Sequence, residues 1–226
     1  MNWWHRLLDA VRGPGQADGE RWVVVDVESS GLDPGRDRLL AVAGLAVCFR
    51  QGEPRLELAD SFEATLRQDG GTVSGEVDKS NILLHGIGVA AQRGGVPYRE
   101  GLQAFSRWAG AAPIIAYHAA FDRTLIQRHC RAHLGRRLPN PWLDLEHVVV
   151  QLVPGLPDRS LDAAMSYLGI SCPKRHDATA DTLATAEILL RIWPMARAQM
   201  YGRSDFRAIR RLAAGHRWLR GQGAGG

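Results

Sequence analysis

Residues 21–32 read Arg-Trp-Val-Val-Val-Asp-Val-Glu-Ser-Ser-Gly-Leu. Trp22–Val27 is a short apolar, β-branched run, the pattern of a strand buried on both faces. It carries two carboxylates near its end, Asp26 and Glu28. Side chains at i and i+2 of a strand share a face, so the two acids project together. Adjacent carboxylates repel in a low-dielectric site and require a cation or a proton. Their oxygen donors suit Mg²⁺ or Mn²⁺ better than zinc. A strand edge running out into solvent would require neither, and an Asp-x-Glu pair alone is a common sequence.

Working outward, Leu39–Phe49 and Arg55–Leu66 read as two further strands, joined by a turn at Gln51-Gly-Glu-Pro54. Pro97–Ala109 reads as a helix with proline at its start. Short strands are expected at Pro113–Ala116 and Trp142–Leu143, the first followed by a helix over Phe121–Leu134 and the second by one that stops before Pro154. Helices are expected at Leu161–Leu168 and at Ala178–Ile192, the latter ending before Pro194, with a separate amphipathic helix over 195–220. Residues 1–12 place Trp3, Trp4, Leu7, Leu8 and Val11 on one helical face, before Gly13-Pro-Gly15 breaks the pattern. Gly70–Gly75 reads as a loop and Gly221–Gly226 as a frayed tail. Three strands followed by alternating helices and short strands make an α/β layer with a mixed sheet. The expected organisation is an N-terminal helix and linker at 1–19, a main domain at 20–193 and a basic C-terminal helix and tail at 194–226.

Two more acids stand at junctions where such a sheet presents ligands. Asp122 follows Ala119-Ala-Phe121, just after the Pro113–Ala116 strand. Asp181 lies one turn into the helix opened by His176-Asp-Ala-Thr-Ala-Asp181. Taken singly, Asp122 reads better as an acid favouring its helix dipole, and His176 and Asp181 can be read as surface residues. A histidine titrates ordinarily near ~6.5 and can take a proton from water at neutral pH.

The ordered combination Asp26-x-Glu28-Ser-Ser-Gly-Leu32, then Phe121-Asp122, then His176-x-Ala-x-x-Asp181-x-x-Ala-Thr resembles the DnaQ-like DEDDh 3′→5′ exonuclease family. The resemblance spans about residues 20–192. Asn81-Ile-Leu-Leu-His85-Gly-Ile87 is similar to the family's His-Gly-Ile segment, and Leu143-Asp144 to its aspartate-bearing strand end. The resemblance implies a ribonuclease H-like fold, a five-stranded mixed sheet flanked by helices. It implies that Asp26, Glu28, Asp122 and Asp181 hold two divalent cations, Mg²⁺ or Mn²⁺, with His176 as general base. It further implies terminal-nucleotide contacts from Ser29, Ser30, Gly31, Leu32, His85, His118 and Phe121. The family commonly has Thr-Thr at Ser29-Ser30, and asparagine at His118, where an amide is replaced by an imidazole. The implied reaction is release of nucleoside 5′-monophosphates from single-stranded DNA or RNA 3′ ends. A short-RNA or tRNA-trimming nuclease and a non-catalytic nucleic-acid-binding or partner-docking module are the alternatives, and a DNA polymerase or another protein is a conceivable partner.

The 226-residue composition fits this picture: 45% hydrophobic and 23% charged residues exclude a wholly disordered or fibrous chain. No run of ~18 apolar residues is free of charge, so no membrane association is expected. Cys48, Cys130 and Cys172 are odd in number and widely spaced, which speaks against a disulfide framework and suits a reducing cytoplasm. Charge is uneven. Residues 1–190 hold 20 Lys+Arg and 23 Asp+Glu, a net of −3; residues 191–226 hold eight arginines and one acid, a net of +7. A basic end on an acidic body suggests a polyanionic partner, the alternative being a solvated helix face. Gln151-Leu-Val-Pro-Gly-Leu156 loosely resembles a sliding-clamp peptide but reads better as a helix end with its proline stop.

Overall fold

The computed structural model describes residues 19–68 and 86–219, with side chains to residue 215. The expectations for 1–12, Gly70–Gly75, Asn81–His85 and the last residues lie outside this range. A five-stranded sheet runs in the order β3-β2-β1-β4-β5. Its strands are β1 (Arg21–Ser29), β2 (Leu39–Arg50), β3 (Glu53–Thr65), β4 (Ile114–Ala116) and β5 (Trp142–Asp144). The first three pair antiparallel, whereas β1–β4 and β4–β5 are parallel. This is the mixed sheet of a ribonuclease H-like fold, as expected.

The apolar run of β1 forms the central strand because both of its faces find cover. Val23, Val25 and Val27 pack with Leu102, Phe105, Leu125 and Ile126 on one side. Trp22 and Val24 pack on the other with Leu189, Ile192 and Trp193. The first side is supplied by α2 (Tyr98–Ala109) and α3 (Ala119–Leu134), preceded by the short α1 (Val89–Gly94). The second is supplied by α4 (Leu145–Leu152), α5 (Leu161–Leu168), α6 (Ala178–Gln199) and α7 (Phe206–Leu219). The period of two places Asp26 and Glu28 on the Trp22/Val24 side, which faces α6.

The β2–β3 hairpin is tighter than its sequence reading. Gln51 and Gly52 both have positive φ, 54° and 81°, the twist-matched geometry of a two-residue hairpin turn. Pro54 therefore lies within β3, opposite Phe49; as β3 is a sheet edge, its missing N–H costs no ladder bond toward the interior. Helix α4 ends at Leu152, and the following Val153 is buried in the core with Leu152 and Leu156 packed against it. The clamp-like segment is thus a helix end built into the core.

The C-terminal third differs from expectation. Helix α6 runs through Pro194 to Gln199 and crosses the expected boundary at 193/194. Proline costs an intrahelical bond, but the packing on both sides of it outweighs that loss. Ile192, Trp193 and Ala196 are almost wholly buried. Trp193 Nε1 donates to Gly52 O at 2.9 Å, and its ring lies 4.9 Å from Phe49 and 5.8 Å, edge-on, from Trp22. The chain reverses instead at Tyr201 and Gly202, both with positive φ. The separate helix is therefore α7, with Phe206, Ala208, Ile209 and Ala213 facing the core and Arg207, Arg210 and Arg211 exposed. Phe206 sits 5.2 Å from Trp22, at the start of β1. Asp26 is four residues further on, ~13 Å along a strand. The arginine face is thus anchored toward the end of the sheet opposite the acids.

On the other side of the sheet, the benzo ring of Trp108 lies against β2 where Gly44 has no side chain. A Cβ on Gly44 would come within 2.5 Å of that ring. Trp108 Nε1 donates to Asp60 Oδ1 at 2.8 Å, and Asp60 also pairs with Arg21 at 2.7 Å, so the indole cannot slide away without breaking this link. Gly44→Ala is expected to destabilise the fold by ~1–3 kcal/mol, the usual cost of overpacking. Urea denaturation monitored by tryptophan fluorescence measures the loss.

Candidate active site

Four acids converge where β1 ends. Asp26 and Glu28 come from β1, Asp122 from the first turn of α3 and Asp181 from the first turn of α6. Asp122 and Asp181 are only 4% and 5% exposed, which leaves their charges little water. Each element has a local reason to begin there. Asp177 caps α6, its side chain accepting from Ala180 N–H. Left-handed His118 turns the chain from β4 into α3, and its N–H donates to Asp144 Oδ1 at 3.0 Å. Asp144 in turn caps α4 through Glu146 N–H. The aspartate-bearing strand end is thus the clasp between β5 and the loop preceding Asp122.

The electrostatics show the crowding. Burial, then the charges of Asp122, Glu28 and Asp181, push the Asp26 carboxyl well above the ordinary aspartate range, against the pull of Arg175. Glu28 is pushed up to about 8 by burial and by Asp181, Asp177 and Asp122, with Lys174 opposing. Asp122 is also raised to about 8, chiefly by burial, although backbone N–H groups of Asp122 itself and Val27 favour its charged form. Carboxyls in this condition hold protons at neutral pH unless cations displace them. Four hard oxygen donors on three rigid elements fit divalent metals such as Mg²⁺ or Mn²⁺.

Two cations stand where metal charge would be needed. Arg175 bridges Asp181 and Asp162, the latter at 2.6 Å. Lys174 Nζ pairs with Asp177 Oδ2 at 2.8 Å. Cys172 Sγ lies 3.6 Å from Asp181 Oδ1, and His176 N–H donates to Asp181 Oδ2 at 3.1 Å. Sequence reading missed Arg175 and Cys172. The signal for Arg175 was its place immediately before His176, beside acids that need a counterion. His176 itself has φ 60° and is exposed. In the structure it is the backbone N–H of His176 that bonds to the acid cluster.

The expected nucleotide contacts are placed unevenly. Leu32, in the loop that follows β1, is 91% exposed, an apolar side chain standing in solvent. Ser30 Oγ donates to Asp37 Oδ1 and accepts from Arg38 N–H, and Ser30 N–H donates to Arg38 O. Ser29 Oγ donates to Gly31 O. These serine groups therefore close the loop after β1 in this structure. Gly31 has no room for a side chain, since a Cβ there would lie 2.5 Å from Asp37 Oδ2. Phe121 packs against the core on the α2/α3 side. The His118 ring is half exposed and turned toward Glu146, 3.7 Å away. His85 lies outside the described residues.

Comparison with known proteins agrees with this geometry. The profile of the exonuclease family matches residues 23–189. The chain is 30% identical over 191 residues to a DNA polymerase III subunit epsilon-like protein of Rhodobacter capsulatus, covering 83% of this chain but 25% of that protein. It is 25% identical to a DNA polymerase III subunit epsilon of Aquifex aeolicus, covering 86% of this chain and 90% of that one. It is 28% identical to a Ribonuclease T of Marinobacter nauticus, covering 74% and 79%. Among solved structures, E. coli exonuclease I in complex with a dA16 oligonucleotide superposes with a TM-score of 0.66 at 16% identity. That match covers 84% of this chain and 45% of exonuclease I. The chain thus spans a quarter of the first of these relatives and under half of the exonuclease I chain. From the acids gathered at the end of β1, the ribonuclease H-like sheet that gathers them and the profile match across most of the chain, the conclusion is that this protein belongs to the DnaQ-like exonuclease family.

Proposed function

We propose that the protein is a 3′→5′ exonuclease that releases nucleoside 5′-monophosphates from single-stranded nucleic-acid ends, using two divalent cations, Mg²⁺ or Mn²⁺. The observation that carries this reading is the meeting of Asp26, Glu28, Asp122 and Asp181 at one strand end, where burial first, and then neighbouring carboxylates, raise the pKa values of Asp26, Glu28 and Asp122. Bound metals supply charge stabilisation to the attacking and leaving oxygens of the phosphodiester. The four carboxylates position that charge. His176, on its exposed loop, accepts the proton of the attacking water. Leu32 offers an apolar surface for the terminal base, and the hydrogen-bonded Ser29–Gly31 turn holds the chain that carries it. Arg175 pairs with both Asp181 and Asp162, so a cation held by Asp181 would leave it anchored by Asp162.

Single-stranded DNA is the first substrate class and single-stranded RNA the second, because the relatives include both an epsilon subunit and a Ribonuclease T. The likeness to the Aquifex aeolicus epsilon subunit along nearly all of that protein supports a DNA polymerase as partner. The proposed compartment is the cytoplasm, in keeping with three free cysteines. No helix among the described residues is long and apolar enough to cross a membrane. The arginine face of α7, anchored through Phe206 at the start of β1, suits phosphates of chain further along the strand or another polyanion.

Mononucleotide release from matched 3′-OH DNA and RNA oligonucleotides, with Mg²⁺ or Mn²⁺ against EDTA, tests the reading; binding without release would make the chain a non-catalytic module. Asp26→Ala, Glu28→Ala, Asp122→Ala and Asp181→Ala are each expected to abolish nearly all release while circular dichroism stays unchanged. Two variants with wild-type rates at saturating Mg²⁺ would reject the metal-ligand assignment.

His176→Ala is expected to lower kcat by ~10²–10⁴, with metal affinity by calorimetry unchanged. An unaltered rate would place the base elsewhere.

The metal-free protein is expected to lose stability as pH rises. Glu28 and Asp122 bind protons more tightly folded than unfolded, so their contribution is favourable below the ordinary carboxylate range and is lost as pH climbs through about 8. In EDTA, the Tm of wild type should fall relative to a Glu28→Gln/Asp122→Asn variant between about pH 5 and about pH 8. Saturating Mn²⁺ should raise wild type and not the variant.

A further inference from the structure

A second group of metal donors stands beside the acid cluster, at the end of β5. The ligand atoms of Asp144, Glu146 and His147 all lie within 4.8 Å of one another. Glu146 is only 6% exposed, and its carboxylate is divided. Oε1 meets Arg159 at 3.3 Å. Oε2 faces two imidazoles, His147 Nε2 at 3.6 Å and His118 Nδ1 at 3.7 Å. Neither ring nitrogen is within hydrogen-bonding distance of that buried oxygen. Donors around a tetrahedral ion with bonds of ~2.0–2.2 Å stand about 3.4 Å apart, close to the two separations between Glu146 Oε2 and the imidazoles; His118 stands outside the group of three whose ligand atoms are all mutually close. Both backbone amides bound by Asp144, from His118 and Glu146, use Oδ1; Oδ2 is the oxygen a cation would take.

We propose that Asp144, Glu146 and His147, joined by His118 through a turn of its half-exposed ring, form a separate site for a zinc-class transition-metal ion, distinct from the carboxylate site at the end of β1. The donor chemistry separates the two. Four carboxylates select hard, six-coordinate Mg²⁺ or Mn²⁺, whereas two imidazoles with two carboxylates suit a tetrahedral borderline ion such as Zn²⁺ or Co²⁺. The ion would tie the left-handed residue before α3 to the start of α4, bracing the turn that presents Asp122. The charge balance is also favourable: Asp144 and Glu146 carry −2 against +1 from Arg159, so a divalent cation replaces no protein cation.

The test uses the Asp26→Asn/Asp181→Asn variant, in which the carboxylate site is disabled. Zn²⁺ calorimetry should show one remaining ion per chain, Zn²⁺ should raise its Tm, and Co²⁺ should give the intense visible absorption of a tetrahedral centre, which an octahedral carboxylate site does not. Adding His147→Ala should weaken Zn²⁺ by more than the ~10–100-fold that loss of a mere supporting partner costs, and should abolish the Co²⁺ band and the Tm rise. Glu146→Gln should do the same, and circular dichroism of both variants without metal verifies the fold. No ion bound by the Asp26→Asn/Asp181→Asn variant, or binding indifferent to His147→Ala and Glu146→Gln, would overturn the proposal and leave the four residues as an ion-pair network only.

Discussion

Like-charge repulsion at the end of a buried strand is the constraint on which the rest of the molecule depends. A strand enclosed on both faces is an inexpensive way to place a side chain with high positional accuracy, because neighbouring ladders hold its backbone. It is an unfavourable place for a carboxylate. Asp26 and Glu28 sit at the limit of that enclosure, and a bulge in the β1–β2 pairing between Glu28 and Ser29 ends the regular ladder just beyond them. Asp122 and Asp181 arrive from the two helix layers and add to the same charge. The fold thus assembles an arrangement that is electrostatically unfavourable by itself and becomes favourable when cations enter.

The protein answers part of that charge with its own cations. Arg175 and Lys174 come from the loop that precedes α6, the same loop that carries His176. Arg175 reaches across to Asp162 on α5, so the loop is tied to its neighbour as well as to the acid it neutralises. A guanidinium with two carboxylate partners can give up one and remain anchored by the other. That arrangement ties the loop bearing the proposed base to both Asp181 and Asp162.

The opposite end of β1 bears the stability that the acid end lacks. Trp22, Phe49, Trp193 and Phe206 form one aromatic cluster there, with centroids 4.1–5.8 Å apart for the contacting pairs. Buried aromatics contribute large apolar area and favourable edge contacts. The cluster draws together β1, β2, α6 and α7, and explains why α6 continues through Pro194. A proline-induced break would have withdrawn Trp193 or Ala196 from this core.

The sequence by itself determined the central strand, the shared face of Asp26 and Glu28, the helices that begin near Asp122 and Asp181, and through their ordered combination the family. These features are local: a β-branched run, a period of two, an Asp cap and a glycine stop act over a few residues. Only the tertiary structure decided that Pro194 lies inside a helix, that the α7 arginines are anchored away from the acids, that Ser30 is occupied by Asp37 and Arg38, and that Arg175 rather than the His176 ring touches Asp181. It also brought His118 to Glu146, residues that sequence reading kept apart because 28 positions separate them. In each case the deciding energy comes from partners distant in the chain, the burial of an indole or the pairing of a charge. No local pattern encodes such partners; they exist only once the sheet and its two helix layers have closed.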